Sequence, residues 1–303
     1  MRILVTGASG LLGANLALEA AKDHTVYGLV NSLNLHTSAF QVLQGDLAEA
    51  DVIEAVLDRT QPDWVIHCAA LANVDVCETD PARAVQLNTE VPRKLAQHVA
   101  MGGARLLHVS TDAVFDGVKG NYIENDPPNP LSVYARTKLE GERAVAEANP
   151  DAIIARVNLF GWSPSGKRSL AEWFFNNLSA GKAVMGFTDV YFCPLLANDL
   201  GYIFLAMLQK QLHGLYHVVA RDSLSKHDFG LKLANLFNFD AGLIHPTSVK
   251  DSGLAAARSP NLTLNTEKLT KALGYLPPTI LQGLNSFYRL YLEKYPQRLK
   301  EML

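Results

Sequence analysis

Through the first half of the chain, short apolar runs alternate with longer segments in which apolar residues recur every three or four positions. The short runs, at residues 2–6, 25–30, 41–44, 64–68, 106–110 and 152–157, predict strands. They show little polar alternation, as expected of strands buried on both faces of a parallel sheet. Between them, residues 11–22, 50–59, 81–101 and 131–148 carry helical periodicity. A polar, proline-rich stretch, Asn125-Asp126-Pro127-Pro128-Asn129-Pro130, stops one element and sets up the last of these helices. Such alternation predicts an α/β fold, a doubly wound parallel sheet with helices on both faces.

Beyond residue 160 the pattern is less regular. Helices are expected at 170–180, 197–209 and 226–237, a short strand at 215–219 and a closing helix at 280–295. This predicts a smaller mixed α/β lobe over 161–303, discontinuous in sequence and mainly substrate-binding. A chain of 303 residues can bury one large core with such a lobe appended. Net charge is -3, so no global field favours nucleic acid or an anionic membrane, and any anionic ligand must be held locally. Asn15 and Glu19 interrupt the apolar N-terminus, against a signal peptide, and no run is long enough to span a bilayer. Cys68, Cys77 and Cys193 are few, odd in number and outside any Cys-x-x-Cys array. They suit a reducing cytoplasm as small buried apolar groups, with no metal site or disulfide framework expected.

Thr6-Gly7-Ala8-Ser9-Gly10-Leu11-Leu12-Gly13 directly follows the first strand and opens the first helix. That is the setting of a dinucleotide-phosphate loop, and it makes residues 1–160 a Rossmann domain. Gly7 permits the tight turn, Gly10 lets backbone approach a pyrophosphate, and Gly13 allows close helix–strand packing. The anion is expected over the helix N-terminus at Leu11 and Leu12. At the end of the second strand stand Asn31 and Ser32, neither a carboxylate for ribose hydroxyls nor a cation for a 2′-phosphate. Because no carboxylate repels the phosphate, NADP is expected ahead of NAD, which stays open. Asp46 and Leu47, after the third strand, are expected beside the adenine. Asp46 either accepts from its amino group or serves only as a turn residue.

Tyr134 and Lys138 are four apart, one helical turn, so both lie on one helix face. By itself the pair reads first as an aromatic packed on the core beside a solvated lysine. Alternatively, an ammonium beside a phenol of pKa about 10 moves it toward acid chemistry at neutral pH. Thr111 follows the fifth strand, at the sheet edge where this fold places ligands.

With the glycine loop, Thr111, Tyr134 and Lys138, the chain resembles the extended short-chain dehydrogenase/reductases over nearly its whole length. The resemblance is closest to the dTDP-4-dehydrorhamnose reductase family. It lies in Ser110-Thr111-Asp112-x-Val114-Phe115, Tyr134-x-x-x-Lys138-Leu139-x-Gly141-Glu142, Gly214-Leu215-Tyr216-His217 and Leu264-Asn265-Thr266-Glu267-Lys268. It implies that Tyr134 protonates a carbonyl oxygen as hydride arrives from the nicotinamide. Lys138 would hold the nicotinamide ribose and lower the Tyr134 pKa, Thr111 would hydrogen-bond the carbonyl, and Asn88 would support the lysine and its water. Ala69, Ala70 and Leu71 match the segment that passes along the cofactor, with Ser110 and Val157 completing the expected contacts.

The related sugar-nucleotide dehydratases carry Thr-Asp-Glu; here the third position is Ala113, so elimination lacks its base and ketone reduction is expected. Asp112 stays as a substrate-pocket residue, joined by Asn158, Leu159 and Arg258. The expected substrate is a nucleotide sugar, a 4-keto-6-deoxy sugar nucleotide. The family's Trp, Pro-Thr, Arg-Pro and a further Arg near the sugar are replaced by Leu159, Pro194-Leu195, Arg258-Ser259 and Thr263. The chain also resembles the regulatory β subunit of methionine adenosyltransferase, which implies an NADP-binding module acting through a partner. A sugar-nucleotide epimerase is a third reading. A homodimer through helices near 95–99 and 139–145 is also open.

Overall fold

The structure, a computed structural model, describes residues 1–251 and 259–303. Arg258 lies outside the described residues. Seven strands form the main sheet: β1 (Arg2–Thr6), β2 (Thr25–Val30), β3 (Gln41–Gln44), β4 (Trp64–His67), β5 (Arg105–Thr111), β6 (Ile153–Val157) and β7 (Gly214–Val218). Their order is β7-β6-β5-β4-β1-β2-β3, every pairing parallel. The chain runs outward from β1 to β3, then returns to the other side of β1 for β4. This reversal opens a crevice at the carboxyl ends of the strands, where a ligand can enter.

Successive residues on a strand point to opposite faces, so the sheet feeds two cores. Ile3, Val5, Ile66, Leu107 and Ile153 join one, with Leu16 of α1 (Leu11–Ala20) and Leu200 of a later helix at Ala197–Gln209. Leu4, Val65, Leu106 and Ile154 join the other, with Ile53 of α2 (Val52–Thr60), Leu95 and Val99 of α3 (Val91–Gly102), and Val145 of α4 (Val133–Ala148). β4 and β6 are buried along their whole length, which accounts for their unbroken apolar sequence.

The continuous helix expected over 81–101 is broken into Pro81–Val85, a π-turn at Gln86–Glu90, and α3. Pro92 explains the break. It has no N–H for the Asn88 carbonyl four residues back, and its ring would press on that oxygen in a regular helix. The backbone widens instead, with Val91 N–H donating to the Gln86 carbonyl. The freed Asn88 oxygen faces Gly141 of α4, where an added Cβ would lie 2.1 Å from it.

The strand expected at 215–219 in the smaller lobe instead joins the main sheet as β7, parallel to β6. The rest of the second half forms α5 (Leu170–Ser179), α6 (Ala197–Gln209), α7 (Lys226–Phe237) and α8 (Ile280–Leu292) with two-stranded pairings such as Val184–Phe187 against Ile244–Thr247. Capping boxes at Ser169 and Thr279 start α5 and α8. Lys294 at φ 57 ends the last expected helix early, before a short one at Tyr295–Lys300. Among the described residues, no helix is long and apolar enough to cross a membrane.

Candidate active site

The crevice has two halves that meet over Gly7 and Gly10. One is lined by Val30, Asn31, Asp46, Leu47, Ala69 and Val91, the other by Thr111, Asp112, Tyr134, Lys138, Asn158 and Leu159. A wider groove at the opposite edge of the sheet, between Arg2, Asp58, Asp63 and Arg105, contains none of these groups.

Gly7 adopts φ 68, and a Cβ there would stand 2.9 Å from the Ala69 backbone; one on Gly13 would stand 2.2 Å from the Gly7 carbonyl. Both positions therefore exclude a side chain. No side chain caps α1 and its first turn has no acidic residue, whereas Ser132, Ser169, Ser225 and Thr279 cap α4, α5, α7 and α8. The first N–H groups of α1 are left for an external anion, so the loop fits a dinucleotide diphosphate. Thr6 Oγ1 ties the loop to β4, accepting from Ala69 N at 3.2 Å and lying 2.7 Å from His67 Nδ1.

In the first half, Asp46 lines the crevice and also builds its own turn. Its carboxylate accepts from Ala48 N at 2.9 Å and pairs with Arg83 at 3.1 Å. The Ala48 bond first, then Arg83 and Asn31, hold it below the usual carboxylate range. Arg83 had no signal in the sequence, since it is far from Asp46 in number. Ser32 is exposed and outside the lining, and only Asn31 of that pair reaches the crevice. Leu71 is likewise outside the lining; its backbone is held from behind by Asn88.

Asn88 is a positioning residue for that segment. Its side chain accepts from Leu71 N at 2.9 Å and donates to Leu71 O and Thr137 Oγ1, both at 3.1 Å. The π-turn aims this side-chain amide at residue 71.

In the second half, Tyr134 and Thr111 both line the crevice, while the Tyr134 ring packs on the cluster of Cys77, Ala84 and Val133. Lys138 is buried, its Nζ donating to the Val109 carbonyl at 2.7 Å with His108 Nε2 3.5 Å away. Burial dominates both groups here. Burial pushes the Tyr134 phenol up to about 12 and the Lys138 ammonium down to about 8. Loss of solvent disfavours the charged form of each, and the lysine's bonds run to β5 rather than to the phenol.

Asp112 is buried, and its carboxylate accepts from Asn158 Nδ2 at 2.6 Å and from the Thr111 hydroxyl at 3.1 Å. Burial raises it to about 6, against the pull of Asn158, Thr111 and Lys226. Lys226, at the start of α7, lines the neighbouring cavity with Ala113, Tyr134 and Asn158. It was not foreseen, since only the fold brings residue 226 to residue 112. Ser110 lines the crevice, but its hydroxyl donates to Glu142 in the layer behind. There Glu142 pairs with Arg156 through bonds of 2.7 and 2.9 Å, and Arg156 lies 4.9 Å over the Phe115 ring. Ala70, Leu11, Leu12 and Val157 complete the lining.

Comparisons with known proteins agree with this geometry. The RmlD substrate binding domain matches residues 1–292. A probable low-salt glycan biosynthesis reductase of Haloferax volcanii is 34% identical over 290 residues, covering 94% of this chain and 96% of that protein. Methionine adenosyltransferase 2 subunit beta of Danio rerio is 32% identical over 276 residues, covering 88% and 84%. The dTDP-4-dehydrorhamnose reductase of Bacillus anthracis, solved in complex with NADP, superposes with a TM-score of 0.82 at 25% identity, over 95% of this chain and 98% of that one. The chain belongs to the RmlD substrate-binding domain family of the extended short-chain dehydrogenase/reductases.

Proposed function

We propose that this protein is an NAD(P)H-dependent reductase of a 4-keto-6-deoxy sugar nucleotide. The observation that carries the reading is that Thr111, Tyr134 and Lys138 line one crevice, with alanine and not a carboxylate at position 113. When bound, the nicotinamide supplies hydride. Tyr134 holds its proton firmly and gives it from its hydroxyl to the carbonyl oxygen as negative charge develops there. Thr111, turning its hydroxyl from Asp112 to the substrate, donates a second hydrogen bond to that oxygen. Asp112 and Asn158 hold the neighbouring hydroxyls of the sugar, and Lys138 anchors the ribose next to the nicotinamide. Asn31, neutral at the end of β2, supports NADP ahead of NAD.

A second reading, an NADP-binding regulatory subunit, is motivated by the similarity to methionine adenosyltransferase 2 subunit beta. A panel of nucleotide-linked 4-ketosugars, assayed with NADPH and NADH by nicotinamide absorbance, separates the two. A reductase turns over at least one ketone, and Tyr134→Phe lowers kcat by about 100- to 10,000-fold, the range for a positioned general acid. No turnover on the whole panel, or Tyr134→Phe as active as the parent, would refute the reductase. Dinucleotide retained through purification would indicate an epimerase instead.

A further inference from the structure

The two halves of the crevice share Gly7, Gly10, Cys68, Ala70 and Arg168 in their linings. Among these Arg168 alone carries charge. It comes from the loop between Phe160 and α5, so the second half of the chain reaches the phosphate loop of the first. Its side chain is exposed and, among the described residues, no carboxylate stands within ion-pair distance. Its backbone is fixed. The fully buried Glu172 carboxylate accepts from Arg168 N at 2.8 Å, Ser169 N at 3.1 Å, Ser163 N at 2.6 Å and the Ser163 hydroxyl at 2.9 Å. Among the described residues no cation pairs with this buried carboxylate, and its four donors hold the loop in one shape.

We propose that Arg168 clamps the diphosphate of the bound dinucleotide, with Glu172 as its positioning residue; this rests on the dinucleotide-binding reading above. A diphosphate carries two negative charges, while a helix N-terminus offers only about half a positive charge. The chain as a whole is anionic at -3 and supplies no general attraction, so a local cation strengthens the hold on the diphosphate. Guanidinium is suited to it, since its planar fork meets phosphate oxygens in pairs. A 2′-phosphate would sit in the adenosine half alone. A residue lining both halves is placed for the bridge between them.

The test is titration of purified parent and Arg168→Ala with NADPH and with NADH, followed by nicotinamide fluorescence. The expected result is a Kd raised about 10- to 100-fold for both, the loss of a charge-assisted contact. Arg168→Lys should recover part of it. Glu172→Gln should weaken binding in the parent yet add little in Arg168→Ala, an interaction that general destabilisation would not produce. Weakening of NADPH alone would reassign Arg168 to the 2′-phosphate and overturn the clamp. So would unchanged Kd for both dinucleotides with only the ketone KM raised. If the parent itself binds neither dinucleotide, the dinucleotide reading falls and the clamp with it.

Discussion

Removing the lysine at the centre of the proposed chemistry should make the protein more stable. Lys138 is 2% exposed, and its ammonium falls from 10.5 to about 8 on burial. That gap corresponds to about 3 kcal/mol of free energy opposing the charged form in the fold. Below pH 8 the lysine is charged in both folded and unfolded chains, so the whole penalty is present. Between 8 and 10.5 the folded lysine is neutral while the unfolded one is charged; folding releases a proton and stability rises with pH. Above 10.5 the penalty is gone. Lys138→Met fills a similar volume without charge but loses the bond to the Val109 carbonyl, worth about 1 kcal/mol. The net expectation is a gain of about 2 kcal/mol at pH 7 that falls with pH, crosses zero at about pH 10 and becomes a loss of about 1 kcal/mol above about pH 10.5, with loss of reductase turnover. Urea unfolding followed by tryptophan fluorescence at several pH values, without added dinucleotide, measures it. A variant less stable than the parent at pH 7, or an advantage that does not shrink with pH, would show that burial of the ammonium opposes folding far less than the structure implies.

Two further perturbations probe the layer behind the site. Arg156→Met should lose about 3–5 kcal/mol, because Glu142 is left buried and unpaired, whereas Glu142→Leu with Arg156→Met should recover most of that; a double variant as unstable as the sum of the singles in denaturant melts would refute the pairing. Gly141→Ala should be destabilised by several times the ordinary ~1 kcal/mol of a point substitution, since its Cβ would meet the Asn88 carbonyl, while Gly102→Ala, with nothing within 4 Å, should be neutral or slightly stabilised by thermal melting.

The parts legible in the sequence are those set by local backbone. Gly7 and Gly13 can be read because their positions admit no Cβ, and the strands because both faces are buried. The helical spacing of Tyr134 and Lys138 is likewise local, and the structure brings both to one crevice with Thr111. What the spacing cannot carry is the environment. The direction of the Tyr134 shift depends on the desolvation that the rest of the fold imposes. The partners of Asn88 depend on a π-turn that needs Pro92 read against residue 88, not against the apolar period. Arg83, Arg168 and Lys226 come from distant segments, and no local pattern marks which exposed cation a fold will turn toward a crevice. β7 was misassigned for the same reason: five apolar-rich residues specify a strand but not its neighbour.

The turn at Gln86–Glu90 has a consequence for the kinds of change this chain can tolerate. A π-turn accommodates one residue more than a regular helix would hold in the same span. Loss of Leu87 would restore the α-helical count, but a regular helix would press the Pro92 ring on the Asn88 carbonyl and turn the Asn88 side chain to a new direction. Asn88 would then swing off Leu71, and the wall of the crevice would lose its brace although no contact residue had been replaced. For this stretch, length is more constrained than identity.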